Sequence, residues 1–181
     1  MAGSSLLGAC LGVALVAVLV FCVGFASPYW FKIEVPAAGN SGTSSVYGGL
    51  FLFCDQQDLN SECIVIFNAD EGLTEAWLPA AEAMASIGLL CAIGALICTF
   101  VWICSGPSTV VCALASLLYI LAGIFGVISV AVFGMMSEFE LEHLSWALWL
   151  TVVGSVFFVV SGIIAAVASC NVNKVHPLEE D

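Results

Sequence analysis

The groups in this chain with chemistry to offer are nine cysteines, fourteen carboxylates and two histidines. Thiols pair as disulfides, attack as nucleophiles or ligate metal. Cys54 and Cys63 stand in a polar stretch with eight residues between them, whereas Cys10, Cys22, Cys91, Cys98, Cys104, Cys112 and Cys170 fall in or beside long apolar runs. There is no Cys-x-x-Cys of the kind a thiol oxidoreductase uses, and the apolar runs hold no cluster of His, Asp and Glu for a metal or protease site. His143 and His176 are far apart in sequence. No enzyme activity, metal or cofactor is expected. The chemistry that remains is a Cys54–Cys63 disulfide, which requires an oxidising compartment, and carboxylates that attract cations.

The elements that position these groups follow from the solvent. Apolar residues make up 62% of the 181 and charged residues 9%. A soluble chain of this size has no interior large enough to hide that surface, and lipid removes the contradiction. Four apolar runs reach the roughly 20 residues that cross a bilayer: residues 6–27, 78–104, 109–136 and 146–170. Glu82 follows Pro79 in the first turn of the second run, and Ser105-Gly106-Pro107-Ser108 breaks the chain before the third. The first run lacks a basic flank and is too long for a signal-peptide core, so it reads as a retained span. The lipid bilayer is the first partner. With Lys32 and Lys174 the only basic side chains against a formal charge of −12, no nucleic-acid partner is expected.

Residues 28–77 form the only connection long enough to fold by itself; residues 137–145 link the last two spans and 171–181 form a short tail. Lys174 favours a cytoplasmic C-terminus by the positive-inside rule. Four spans then place the N-terminus on the same side, and the Cys54–Cys63 pair argues independently that the long loop is outside. Within it, Tyr29–Val35 alternates like a half-buried strand, Asn40–Ser45 is turn-rich, Val46–Cys54 and Cys63–Phe67 read as strands, and Asp55–Glu62 as a polar turn. On that reading the disulfide joins the end of one strand to the start of the next. The apolar rings of Trp30 and Phe51 are expected at the lipid edge, and Asp70–Trp77 as an amphipathic entry into the second span.

Trp30, then Gly49-Leu50-Phe51, then Cys54 and Cys63, in the first loop of a four-span chain, resembles the signature of the claudin superfamily. That group includes claudins, peripheral myelin and epithelial membrane proteins, and calcium-channel γ subunits. A Phe stands at position 51 where the signature has Trp, and Ala80-Ala81-Glu82-Ala83 where claudins commonly carry an Arg. The resemblance covers residues 1–181 as a single domain. It implies a left-handed four-helix transmembrane bundle capped by a small extracellular antiparallel β-sheet. It also implies a plasma-membrane protein of cell–cell junctions that assembles with like proteins side by side and head-on, as a paracellular barrier or pore. The other functional reading is an auxiliary ion-channel subunit or membrane-organising protein. Because the tail ends Glu179-Glu180-Asp181, a PDZ scaffold, which buries an apolar C-terminal residue, is not expected.

The resemblance places Asp55, with Asp58 and Glu62, where acidic residues favour cations in a paracellular path; the bland reading is that they solvate an exposed domain. Glu138, Glu140 and Glu142 alternate with Phe139 and Leu141, which are candidates for contact with the neighbouring cell or for packing under the sheet. Cys104 and Cys170, at the inner ends of spans two and four, are either palmitoylation sites or small buried residues. The remaining span cysteines are expected to pack. Gly8-xxx-Gly12 and Gly162-xxx-Ala166 are small-xxx-small pairs that let helices approach closely, either within the bundle, which is the expected use, or in lateral assembly. No Asn-x-Ser/Thr is present for glycosylation.

Overall fold

The computed structural model describes residues 2–36, 43–57, 60–65, 77–106, 108–136 and 143–175. In chain order the elements are α1 (Ala2–Ala26), β1 (Phe31–Pro36), β2 (Thr43–Gly48), β3 (Leu52–Gln57), β4 (Asn60–Val65), α2 (Trp77–Ser105), α3 (Thr109–Met136) and α4 (Trp146–Val175). The expected class holds: four long apolar helices form a bundle, and an antiparallel sheet of order β1-β2-β3-β4 lies between α1 and α2 in the chain. All four helices are long and apolar enough to cross a membrane. α4 runs on to Val175 and therefore carries Lys174 in its last turn. α3, at 28 residues, is about 42 Å long at about 1.5 Å per residue, more than the roughly 30 Å of a hydrocarbon core.

Alanine and glycine line much of the helix seams, beside the buried rings of Phe21, Tyr119, Phe133 and Phe158. The buried residues of α2 are Ala81, Ala85, Gly88, Ala92, Ala95, Thr99 and Trp102, a stripe at helical spacing. Ala14 and Ala17 of α1, Ala122 of α3 and Ala165 and Ala168 of α4 are buried likewise, while Leu19, Leu90 and Val110 point outward. Water would reverse this arrangement; in lipid, where hydrocarbon outside is as apolar as any core, close backbone approach is what holds helices together. α1 lies along α4, α4 along α3 and α3 along α2. At the α1–α4 contact a side chain on Gly154 would meet the backbone of Phe21 at 2.9 Å, so only glycine fits.

Hydroxyls and thiols inside the bundle are satisfied by backbone carbonyls, as burial in hydrocarbon requires. Ser129 donates to Ala81 O (2.7 Å) and Ser116 to Gly162 O (2.8 Å), tying α3 to both neighbours. Thr99 bonds Ala95 O and lies 3.2 Å from the Tyr119 hydroxyl. Cys10 and Cys112 do more than fill space, since their thiols reach Ser161 O and Ala165 O. At the α2–α3 corner Gly106 takes φ +93°, where a β-carbon is strained, and its N–H caps Trp102 O.

The two small-residue pairs divide. Gly162 is in the bundle, against Ile120 and the Ser116 carbonyl of α3. Gly8 and Gly12 are not: both are exposed, and a β-carbon on either meets nothing. The reason is helical phase, because the buried side of α1 is set by Cys10, Ala14, Ala17 and Phe21. Gly154→Ala is therefore expected to destabilise the bundle by about 1–3 kcal/mol through overpacking. Gly12→Ala is expected to change stability by no more than about 0.5 kcal/mol, as at an open surface site. Reversible unfolding in mixed micelles measures both, and equal effects would refute this assignment of faces.

Candidate functional site: a disulfide-clasped sheet

α1 ends at Ala26, just before Pro28, and leaves carbonyls of its last turn without helical partners. The Trp30 indole Nε1–H donates to one of them, Gly24 O, at 2.8 Å. Trp30 is fully buried, with its ring 5.0 Å from that of Phe133 near the end of α3. The expectation of a lipid-edge ring at position 30 is thus overturned: its N–H has a buried acceptor, and its faces are covered by protein. The backbone on either side is held as well. Trp30 N–H donates to Gly48 O (2.8 Å), Ser145 N–H to Trp30 O (2.9 Å) and Ala147 N–H to Tyr29 O (3.3 Å). A single bridge pairs Phe31 with Leu144, so the chain entering α4 is stitched to the start of β1.

Gly49, Leu50 and Phe51 make the turn between β2 and β3, closed by Gly49 N–H to Leu52 O at 2.9 Å. The single strand expected over Val46–Cys54 is therefore two, folded back at this triplet. Leu50 is fully buried, and Phe51 meets Phe25 edge-on at 4.9 Å. The turn plunges into the bundle top, which is why its two tip residues are apolar. A β-carbon on Gly49 would collide with the Ser27 carbonyl.

Cys54 and Cys63 are bonded, and they face each other as direct partners within β3 and β4, with Cα atoms 4.1 Å apart. The bond therefore crosses the middle of a hairpin and does not join strand ends. Most of the stretch expected as a polar turn is ladder, because β3 runs to Gln57 and β4 starts at Asn60. Cys54 is 1% exposed and Cys63 is exposed. The next rung aligns Ile33, Val46, Asp55 and Glu62. Ser44 Oγ lies 3.0 Å from Asp55 Oδ1 and 3.2 Å from Gln56 O, which holds the carboxylate in place. Of the three acidic candidates, Asp55 and Glu62 are brought opposite each other; Asp58 lies outside the described residues.

Phe139 and Leu141, with Glu138, Glu140 and Glu142, also lie outside the described residues, as do Asp70–Ala76, Ile66 and Phe67. Cys104 and Cys170 are exposed, near the ends of α2 and α4 opposite the sheet. Among the described residues no group of three His, Cys, Asp or Glu gathers to hold a metal ion. Sequence reasoning missed the cluster of Tyr47, Tyr29 and Trp146, in which the central Tyr29 ring stacks on Tyr47 at 4.8 Å and lies tilted to Trp146 at 6.0 Å. Partial burial, and then the neighbouring Tyr29 phenol, raise the Tyr47 phenol above its ordinary pKa. These residues come from three separate segments, so no spacing in the sequence joins them.

The fold and this site define a multi-pass membrane protein with a disulfide-clasped four-stranded sheet standing on one end of its bundle. No protein-family model matches the chain, and no curated protein matches it.

Trp30→Phe, which keeps an aromatic ring but removes the N–H, is expected to cost about 1 kcal/mol for the lost hydrogen bond, since Ser27 N–H still reaches the Gly24 carbonyl. Trp30→Ala is expected to cost about 3–5 kcal/mol. Thermal unfolding in nanodiscs measures both, and a Trp30→Phe variant as stable as the parent would remove the hydrogen bond from the account. Replacing Cys54 and Cys63 by alanine opens a ten-residue loop and is expected to cost about 2–3 kcal/mol. Loss of sheet order before helix order, followed by hydrogen exchange, is the expected pattern.

Proposed function

We propose that this protein is a claudin-like cell–cell junction protein, with the sheet outside the cell and both termini in the cytoplasm. It assembles side by side in one membrane and head-on across two, as a paracellular barrier or cation-preferring pore. What supports this reading is one juxtaposition: the Asp55–Glu62 rung lies directly beside the Cys54–Cys63 rung. A covalent clasp fixes the position of carboxylates that carry the cation preference. A fixed ring of carboxylates along a narrow aqueous path attracts cations and repels anions. The orientation rests on the disulfide, which forms in an oxidising compartment, and on Lys174 in the last turn of α4.

The test is expression in non-adherent cells and in an epithelial layer. Enrichment at cell–cell contacts is expected. Uniform surface staining, with a channel co-purifying, would replace this reading with that of an auxiliary subunit. Dilution potentials should show cation preference. Asp55→Asn should lower it by up to about fivefold, the value of about 1 kcal/mol for one charge at 4 Å in water. An anion preference in the parent would reject the pore.

A further inference from the structure

Trp146 is the first residue of α4 and Tyr29 lies three residues past the end of α1, so both stand where the helices leave hydrocarbon. Their side chains are open: Trp146 is 51% exposed and Tyr29 37%. Below them Trp149, Val153, Val156, Val160 and Ile163 continue down α4 as one exposed apolar stripe at helical spacing. The cluster of Tyr47, Tyr29 and Trp146 is therefore the top of the surface that α4 turns to lipid. Lys32 is the ladder partner of Tyr47 and shares its face of the sheet. Its ammonium lies 3.2 Å from Glu34 Oε1, but both side chains are at least half exposed, and such a pair holds weakly.

We propose that Lys32 and the Tyr47–Tyr29–Trp146 cluster form a seat for a phospholipid headgroup in the leaflet on the sheet side. Rings with one apolar face and one polar tip settle at that depth. A lysine stem lies along them while its ammonium reaches the phosphate. In a chain with a formal charge of −12 and two basic side chains, Lys32 is the one cation on the sheet, so it alone there attracts a phosphate. Lipid is the occupant because the cluster is continuous with a stripe that hydrocarbon already covers. The proposal is independent of the junction reading, since it requires only that α4 spans the membrane.

The full chain in phosphatidylcholine nanodiscs tests it, with bromines placed high or low on the acyl chains. High bromines should quench tryptophan fluorescence more than low ones, and Trp146→Phe should reduce that difference, Trp149 one turn below retaining part of it. On detergent-solubilised protein at subsaturating phosphatidylglycerol, Lys32→Gln should retain about fivefold less of this phospholipid, the effect of one lysine at an anionic lipid surface. Retention of a glycolipid with the same chains and no phosphate should not change. Both substitutions are at exposed side chains, and an intact Cys54–Cys63 bond by thiol counting certifies each fold. Equal phospholipid retention by wild type and Lys32→Gln would overturn the seat. So would Trp146 being shielded from high bromines by a second copy, seen as cross-linked dimer.

Discussion

The carbonyl of Gly24 sits in the last turn of a transmembrane helix, where no further helical N–H reaches it and only Ser27 N–H, at 3.4 Å, bonds it from the backbone beyond. The Trp30 indole donates to it at 2.8 Å, a shorter bond than that from Ser27, and from the indole bond the placement of the sheet follows. Once the indole is fixed, the backbone of Tyr29 to Phe31 is fixed. That short stretch receives β2 on one side through Gly48 and the chain entering α4 on the other through Ser145, Ala147 and Leu144. Two connections remote in sequence thereby meet at one residue. A buried ring with a satisfied N–H gives both a large apolar contact and direction, which a phenyl ring alone does not.

Beneath the sheet the helices hold together for a different reason. Alanines and glycines line the seams, and hydroxyls and thiols cross them to carbonyls of the next helix. In hydrocarbon there is little gain in hiding leucine, so many large aliphatic residues face outward and the smaller ones let backbones touch. A few rings, such as Phe21, Tyr119 and Phe158, fill the seams. The aromatic rings of Trp30, Phe31 and Trp77 gather about Phe133 and join the rigid bundle to the sheet. The clasp across β3 and β4 extends that rigidity to the strand farthest from Trp30. The neighbouring rung, Asp55 opposite Glu62, is held in register by the same clasp.

Much of this was legible in the sequence, and the four spans most clearly of all. Length and hydropathy are one-dimensional quantities, and the bilayer imposes a minimum length that a soluble core does not. The Cys54–Cys63 pair was legible because the other cysteines lie in apolar runs. Strand boundaries were less so. Val46–Cys54 shows none of the Asn-Gly or Asp-Gly chemistry that marks a hairpin, because its turn residues Leu50 and Phe51 face protein and not water. An apolar run and an apolar turn look the same until something is known to lie beneath them.

What the sequence alone determined, then, is the solvent and the inventory: lipid around four helices, one long connection, one covalent clasp, an excess of carboxylates. Tertiary structure decided which face each residue turns and whom it meets. Trp30 became a buried donor in place of a lipid-edge ring. Gly8 and Gly12 turned outward while Gly162 turned in, and Asp55 came to stand opposite Glu62. Each outcome depends on helical phase or strand register relative to a partner far along the chain. Near-uniform hydrophobicity erases the amphipathic pattern from which phase is read, so only the packed bundle could fix it.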